Sequence, residues 1–292
     1  MTRQTQTELT APGRVVILGS SGFIGSHLMT YFSKAGIETF GISSKAIDLS
    51  QPQADRALAE VIRKEDVVIF ASCITREKGE DIPTFMKNLA MAQNVSLLLE
   101  TQGCAHVVYL SSDAVYQDGL SLVREDSEIK PGGLYGLTHV AREGMVTYAA
   151  AKAKIPLTIL RPCAVYGKGD THNGYGPNRF LKTATEEGKI SLFGEGEERR
   201  DHIYVGDVCR LMDLCIKHHL TGILNLATGK SHSFGEVAQT VQLVLSKSFS
   251  IEGSPRRSPI THRHFDITAL CKVFPSFSFT TLEQGLREVV NN

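Results

Sequence analysis

A chain of 292 residues, 42 % of them apolar, is long enough to bury one large core, or a core domain with a smaller satellite. Its 31 acidic residues balance 31 basic ones, which gives no reason to expect a nucleic-acid partner or an anionic membrane surface. Six scattered cysteines without a C-x-x-C pair signal neither a zinc site nor a disulfide framework and fit a reduced, cytoplasmic setting, and no apolar stretch approaches the roughly 18 to 20 residues of a membrane span.

Met1 to Pro12 is polar, lacks the apolar core of a secretion signal and is expected to be a loose tail over residues 1–12. Val15 to Leu18 is too short for a stable helix and reads as a buried strand of a parallel sheet. Gly19, Gly22 and Gly25 follow at the spacing G-x-x-G-x-x-G, and helical spacing begins near Phe23. A bare strand-turn-helix crossover often needs such glycines for packing. The placement between an N-terminal strand and an amphipathic helix nevertheless favours a dinucleotide cradle built from Gly19, Ser21, Gly22, Phe23, Ile24 and Gly25, whose amides would face a pyrophosphate.

The second strand, Glu38 to Ile42, runs into Ser43, Ser44 and Lys45. NAD sites of this kind usually carry a carboxylate there to accept from the adenosine ribose. Two hydroxyls and an ammonium suit a 2′-phosphate instead, so NADP is expected over NAD. Asp48 and Leu49 are placed to reach the adenine edge.

Strand-like runs recur at Val67 to Ala71, Val107 to Leu110 and Leu157 to Leu160, separated by helical patterns at Phe85 to Glu100 and Tyr135 to Ala151. The alternation predicts an α/β fold, a Rossmann-like doubly wound parallel sheet over residues 13–166. After Arg161 the pattern changes: a glycine-rich stretch from Gly167 to Pro177, a helix near Phe180 to Glu187, a strand near Ile190 to Phe193 and a helix over Val205 to His218. Residues 167–292 are read as a smaller substrate-binding lobe with some elements returning to the core domain. Arg256, Arg257 and Arg263, with His262 and His264, form a basic cluster that reads as a solvated loop or a phosphate contact.

The strand at Val107 to Leu110 ends in Ser111, Ser112 and Asp113, and about twenty residues later Tyr135 opens a helix. A hydroxyl at a strand's carboxyl end and a tyrosine at a helix start can converge above a nicotinamide at the topological switch point. With these come Ala71-Ser72, Asn88, Arg161-Pro162, Val165-Tyr166-Gly167, the Arg200 to Asp207 segment and Asn225 to Gly229. Together, from Arg14 onward, the chain resembles the extended short-chain dehydrogenase/reductases, which include nucleotide-sugar epimerases, dehydratases and keto-reductases.

The resemblance implies an NAD(P)-dependent oxidoreductase or epimerase for a nucleotide-linked sugar. Ser112 matches the hydroxyl that bonds the reacting sugar oxygen, and Tyr135 matches the acid/base tyrosine. Ala71, Ser72, Asn88, Pro162 and Val165 would contact the cofactor, while Asp113, Asn178 and Arg200 would face the substrate. Ser111 is read as structural and Tyr116 as a pocket wall. A homodimer paired through the helices carrying Tyr135 and Asn88 is expected.

One position departs from the pattern. The motif Tyr-x-x-x-Lys puts an ammonium four residues after the tyrosine, and here that residue is His139, on the same helix face as Tyr135. A free imidazole titrates near ~6.5 and helps form a phenolate less than lysine does. Arg142, one turn further, is the other candidate cation. The second reading of the chain is therefore a dinucleotide-binding sensor or scaffold with weakened chemistry. Dehydratases of the family carry an Asp-Glu pair after the hydroxyl residue; Asp113 is followed by Ala114, which disfavours 4,6-dehydration and leaves epimerisation or keto-sugar reduction.

Overall fold

The computed structural model describes residues 2–4, 11–256 and 258–291. Arg257 of the basic cluster and residues 5–10 of the expected tail lie outside the described residues. In chain order the first elements are β1 (Arg3–Gln4), β2 (Arg14–Leu18), α1 (Phe23–Lys34), β3 (Glu38–Ile42), α2 (Ala54–Val61), β4 (Val67–Phe70) and α3 (Ile82–Thr101). They continue with β5 (His106–Leu110), β6 (Leu122–Val123), α4 (Leu134–Ala153), β7 (Leu157–Pro162), β8 (Ala164–Tyr166), α5 (Pro177–Glu186) and β9 (Lys189–Phe193). The last are β10 (Arg199–Tyr204), α6 (Val205–Lys217), β11 (Leu220–Leu226), β12 (Ser231–Ser233), α7 (Phe234–Leu245), β13 (Ser250–Ser254), β14 (His264–Phe265), α8 (Thr268–Val273) and α9 (Leu282–Asn291).

The main sheet has the order β1-β11-β7-β5-β4-β2-β3, and six of its strands are parallel. Each βα crossover returns the chain to the same edge of the sheet, so the carboxyl ends of β2, β4, β5 and β7 lie side by side. The order reverses between β2 and β4, because β3 follows β2 on one side and β4 is added on the other. That switch point is where α/β sheets hold their ligands. Every residue of β2, β4 and β5 is buried, as strands covered on both faces require. Residues 2–4 depart from the expected tail: β1 pairs antiparallel with Leu220 and Thr221, and the Thr2 hydroxyl donates to Ile223 O at 2.7 Å.

The chain divides into two compact units, each made of more than one stretch of sequence. The first comprises Met1–Asp118, Glu128–Arg161 and Cys209–Asn225. Its core joins Val16, Leu18, Phe70, Val95, Leu99, Val107, Tyr109 and Val146 from the sheet, α3 and α4. A buried ion pair, Arg14 Nε to Asp66 Oδ1 at 2.8 Å, ties β2 to the turn before β4. The second unit, Gly119–Ser127, Pro162–Val208 and Leu226–Asn292, has its own aromatic core, where Tyr175 packs on Phe180, Phe193 and Phe234 with centroids 4.4 to 5.0 Å apart. Three small sheets frame it: β12-β10-β8, β13-β9 and β14-β6. In the basic cluster Arg256 is engaged by Glu197 and Glu198. All six cysteines are free thiols, and among the described residues no helix is long and apolar enough to cross a membrane.

At the amino end of β5, His106 is wholly buried, its Nε2 2.8 Å from Thr158 Oγ1. Thr158 donates its only hydroxyl proton to Leu220 O, so Nε2 carries the imidazole proton and the buried Nδ1 has no partner among the described residues. Burial, helped by His219, pulls the imidazole down to about 4. Between that value and the unfolded value near ~6.5 the unfolded chain binds a proton that the folded one refuses, so stability falls as pH drops through this window, by up to about 3 kcal/mol. The expected outcome is a melting temperature lower at pH 5 than at pH 7, with a smaller gap in His106→Gln; an equal gap in the variant would assign the acid sensitivity elsewhere.

Candidate active site

β2 ends at Leu18 and the chain turns through Gly19 into α1. A Cβ on Gly19 would lie 2.8 Å from Ser72 backbone atoms, and one on Gly25 only 2.1 Å from Gly19 O, so neither position admits a side chain. The N-cap, Gly22, makes no side-chain cap, and the first turn of α1 carries no acidic residue. Ser21 and Gly22 are exposed beside this helix start. A helix start without a side-chain cap or an acidic residue, set at the switch point, fits a dinucleotide pyrophosphate.

Beyond β3, Ser44 and Lys45 are exposed and Ser43 partly so, with no carboxylate among them. Asp48 and Leu49 follow, but their polar groups are engaged. Asp48 accepts from Ser50 N at 3.0 Å and Ser50 Oγ at 2.8 Å, which holds its carboxyl below the usual range. Leu49 packs into the core and its carbonyl accepts from Asn94 Nδ2 at 2.9 Å. Beside them, Ala71 N–H donates to Leu18 O at 3.0 Å, which brings Ala71 and Ser72 against the glycine turn. Asn88 is buried on α3 and clamps Ile74 through both backbone groups, at 2.9 and 3.0 Å. Asp48 and Asn88, expected as cofactor contacts, also hold the loops beside the cradle.

After β5, Ser112 caps a single 3-10 turn, Asp113 to Val115, its Oγ accepting from Ala114 N at 3.1 Å; the hydroxyl proton is left to donate. Tyr135 starts α4. The turn and the helix meet closely, since a Cβ on Gly136 would lie 2.1 Å from Ala114 O. That approach sets the Tyr135 phenol beside the Ser112 hydroxyl. Burial pushes the phenol well above its ordinary range; Cys73 adds to the rise and Ser112 opposes it. A shallow cavity lined by Ile74, Glu80, Asp81, Asn88, Leu134 and Tyr135 opens beside the ring.

His139 sits one turn below Tyr135, with its ring edge-on to the tyrosine at 4.8 Å. It is 2 % exposed; Nδ1 lies 2.8 Å from Tyr109 OH and Nε2 3.8 Å from Cys73 Sγ. Burial, and secondarily the nearby Arg142 charge, hold the imidazole well below its usual range, so it is neutral at physiological pH. Sequence reasoning did not single out Tyr109 or Cys73, because they reach the site from β5 and from the segment after β4.

α4 is pinned from below. Glu143, two turns from Tyr135, accepts from Arg161 Nη2 at 2.6 Å and Nε at 2.9 Å, and from Ser111 Oγ at 2.5 Å. Arg161 also donates to Tyr116 OH at 2.9 Å, and Tyr116 donates to Asn225 Oδ1 at 2.7 Å. Ser111 and Tyr116, expected as a structural residue and a pocket wall, are both members of this buried network.

The remaining candidates lie in the second unit. Pro162 ends β7 and Val165 pairs with Ile203 between β8 and β10. Asn178 uses its amide on Gly167, donating to its carbonyl at 2.6 Å and accepting from its N–H at 3.2 Å. Arg200 donates to Thr261 O at 2.6 Å and Thr261 Oγ1 at 2.9 Å. Asp201 does not pair with it. That carboxylate accepts instead from Thr228 Oγ1 at 2.7 Å and Gly229 N at 2.8 Å.

Removing the Glu143 carboxylate would strand the Arg161 guanidinium in the core, which costs about 3–5 kcal/mol. Glu143→Ala is expected to lose that much in denaturant unfolding, and Glu143→Gln less. A neutral effect would show that the network does not hold α4.

Comparison with known proteins agrees with this geometry. Residues 15–227 match the NAD dependent epimerase/dehydratase family. The chain is 27 % identical over 320 residues to a UDP-N-acetyl-alpha-D-glucosaminuronate decarboxylase of Bacillus cytotoxicus, covering 95 % of this chain and 96 % of that one. It is 25 % identical over 303 residues to a putative UDP-glucose 4-epimerase of Methanocaldococcus jannaschii, covering 95 % and 97 %. Among solved structures, MoeE5 in complex with UDP-glucose and NAD superposes with a TM-score of 0.80 at 23 % identity, over 96 % of this chain and 98 % of that one. The neighbours bind mostly NAD, so the expected preference for NADP draws no support from them. A glycine cradle at the switch point, the Ser112 and Tyr135 pair, and a match over most of the length together mean that the chain belongs to the NAD dependent epimerase/dehydratase family.

Proposed function

We propose that the protein is an NAD(P)-dependent oxidoreductase or epimerase acting on a nucleotide-linked sugar, with hydride transfer at a sugar carbon and Tyr135 as acid/base. The observation that carries this reading is the pairing of the Ser112 hydroxyl and the Tyr135 phenol at the carboxyl end of β5, beside a glycine cradle that side chains would fill. The nicotinamide, when bound, accepts or donates the hydride. Ser112 has a hydroxyl proton free to donate to the sugar oxygen, since Ala114 N–H already occupies one of its lone pairs. Tyr135 takes the proton from that oxygen during oxidation and returns it during reduction. Burial favours the protonated phenol, which readies the acid for the reductive half and makes the oxidative half dependent on nearby positive charge. Ala114 stands where the Asp-Glu pair would have its second carboxylate, which disfavours 4,6-dehydration. The reading as a sensor without turnover is not favoured, because the hydroxyl pair is assembled and the relatives carry enzyme names.

The names of those relatives make uridine diphosphate sugars the first compounds to test. Exposed apolar side chains on α3 (Ile82, Met86) and α4 (Leu137, Tyr148) support a homodimer paired through these helices.

Tyr135→Phe is expected to lower turnover of the active nucleotide sugar by about 10² or more without loss of melting temperature, and full activity would remove Tyr135 from the chemistry. For the cofactor, fluorescence titration compares NADH with NADPH in the wild type and in Lys45→Ala. A 2′-phosphate contact at the Ser43 to Lys45 turn predicts selective weakening of NADPH; equal effects on both would exclude it.

A further inference from the structure

Arg142 is the largest side chain buried without exposure, and it has no carboxylate partner among the described residues. The adjacent acid, Glu143, is committed to Arg161 and Ser111. Arg142 Nη2 donates to Ser72 O at 2.5 Å, while its Nε and Nη1 find no acceptor among the described residues. Its guanidinium carbon lies 4.4 Å from the Phe70 ring centroid and 5.3 Å from that of Tyr109. Taking an unpaired guanidinium out of water is costly, and stacking on two rings offsets only part of the cost. An apolar side chain would fill the space more stably, so the charge calls for a functional account.

Helix geometry supplies one. Residues 135, 139 and 142 share a face of α4, and helical side chains lean toward the helix amino end. A long side chain at 142 therefore carries its charge back toward the level of residue 139. That is where Ser72, the Cys73 thiol and His139 converge: Arg142 bonds the Ser72 carbonyl, opposes the rise that burial imposes on Cys73, and disfavours protonation of His139.

Resting on the acid/base reading of Tyr135, we propose that Arg142 is a positioning residue whose guanidinium supplies, one turn further along α4, the fixed positive charge that the Tyr-x-x-x-Lys pattern places on lysine. His139 then carries hydrogen bonds and no charge, bridging Tyr109 and Cys73 beneath the phenol. The charged and titratable groups around this point are His139, Arg142 and Glu143 on α4, Tyr109 on β5, Asp113 on the turn after β5, and Cys73 and Glu77 on the segment after β4.

Arg142→Met, His139→Lys, the double variant His139→Lys/Arg142→Met, and Arg142→Lys test the assignment. Without cofactor, thermal melting should place Arg142→Met at or above the wild type. His139→Lys should fall below it, because two cations then share one buried site, and the double variant should recover. In turnover, the acid limb of the oxidative pH–rate profile should move to higher pH by about one unit or more in Arg142→Met, roughly a tenfold loss below the limb, because the phenolate loses its nearby cation. Arg142→Lys and the double variant should return the limb toward the wild type. Two results overturn the assignment: a folded Arg142→Met whose limb coincides with the wild type, or melting temperatures of the two single variants that simply add in the double. Full turnover in Tyr135→Phe would instead overturn the acid/base reading, while the melting cycle would still report whether the two cations compete for one place.

Discussion

One carboxylate ties α4 to the sheet. Glu143 receives Ser111 from the end of β5 and Arg161 from β7, and through Arg161 and Tyr116 the connection runs on to Asn225 of β11. In a dry interior such bonds are strong, and breaking one leaves a buried group unpaired, so the network has few alternative arrangements. Because Glu143 and Tyr135 are eight residues apart on α4, fixing the first fixes the rotation of the second. The close approach of Gly136 to Ala114 then sets the Ser112 turn against the start of the helix. The position of the phenol is thus inherited from contacts made well below it.

The neighbouring residue does the opposite. Arg142 is more deeply buried than Glu143, yet among the described residues no carboxylate answers its charge. A protein that spends stability on an unpaired guanidinium at the foot of its candidate site fits the general trade between a stable interior and a preorganised electrostatic field. Family membership and the site therefore meet at a substitution: a lysine position filled by a neutral imidazole, with a cation one turn away.

Much of this was legible in the chain itself. The strand and helix pattern, the glycine spacing and the placement of Ser112 and Tyr135 are local signals, governed by periodicity and by which residues tolerate a tight turn. The bonds that Asp48, Asn88 and Asn178 make within the chain were not legible, for a physical reason. Short polar side chains satisfy nearby backbone as readily as they meet a ligand, and here they bond Ser50, Ile74 and Gly167. Residues 2–4 were legible only as polar tail, since adding an edge strand uses backbone groups that composition does not describe.

What the sequence determined by itself is the set of elements, the glycine spacing after β2, the placing of Ser112 at a strand end and Tyr135 at a helix start, and the histidine at position 139. Each follows from residues within a few positions of one another. Only the tertiary structure decided that Tyr109 and Cys73 flank the imidazole, that Arg142 turns inward and that Glu143 is spent on Arg161. Those outcomes depend on strands brought together from distant parts of the chain, and on the loss of water around them, which makes a buried charge far more consequential than the same residue on a surface.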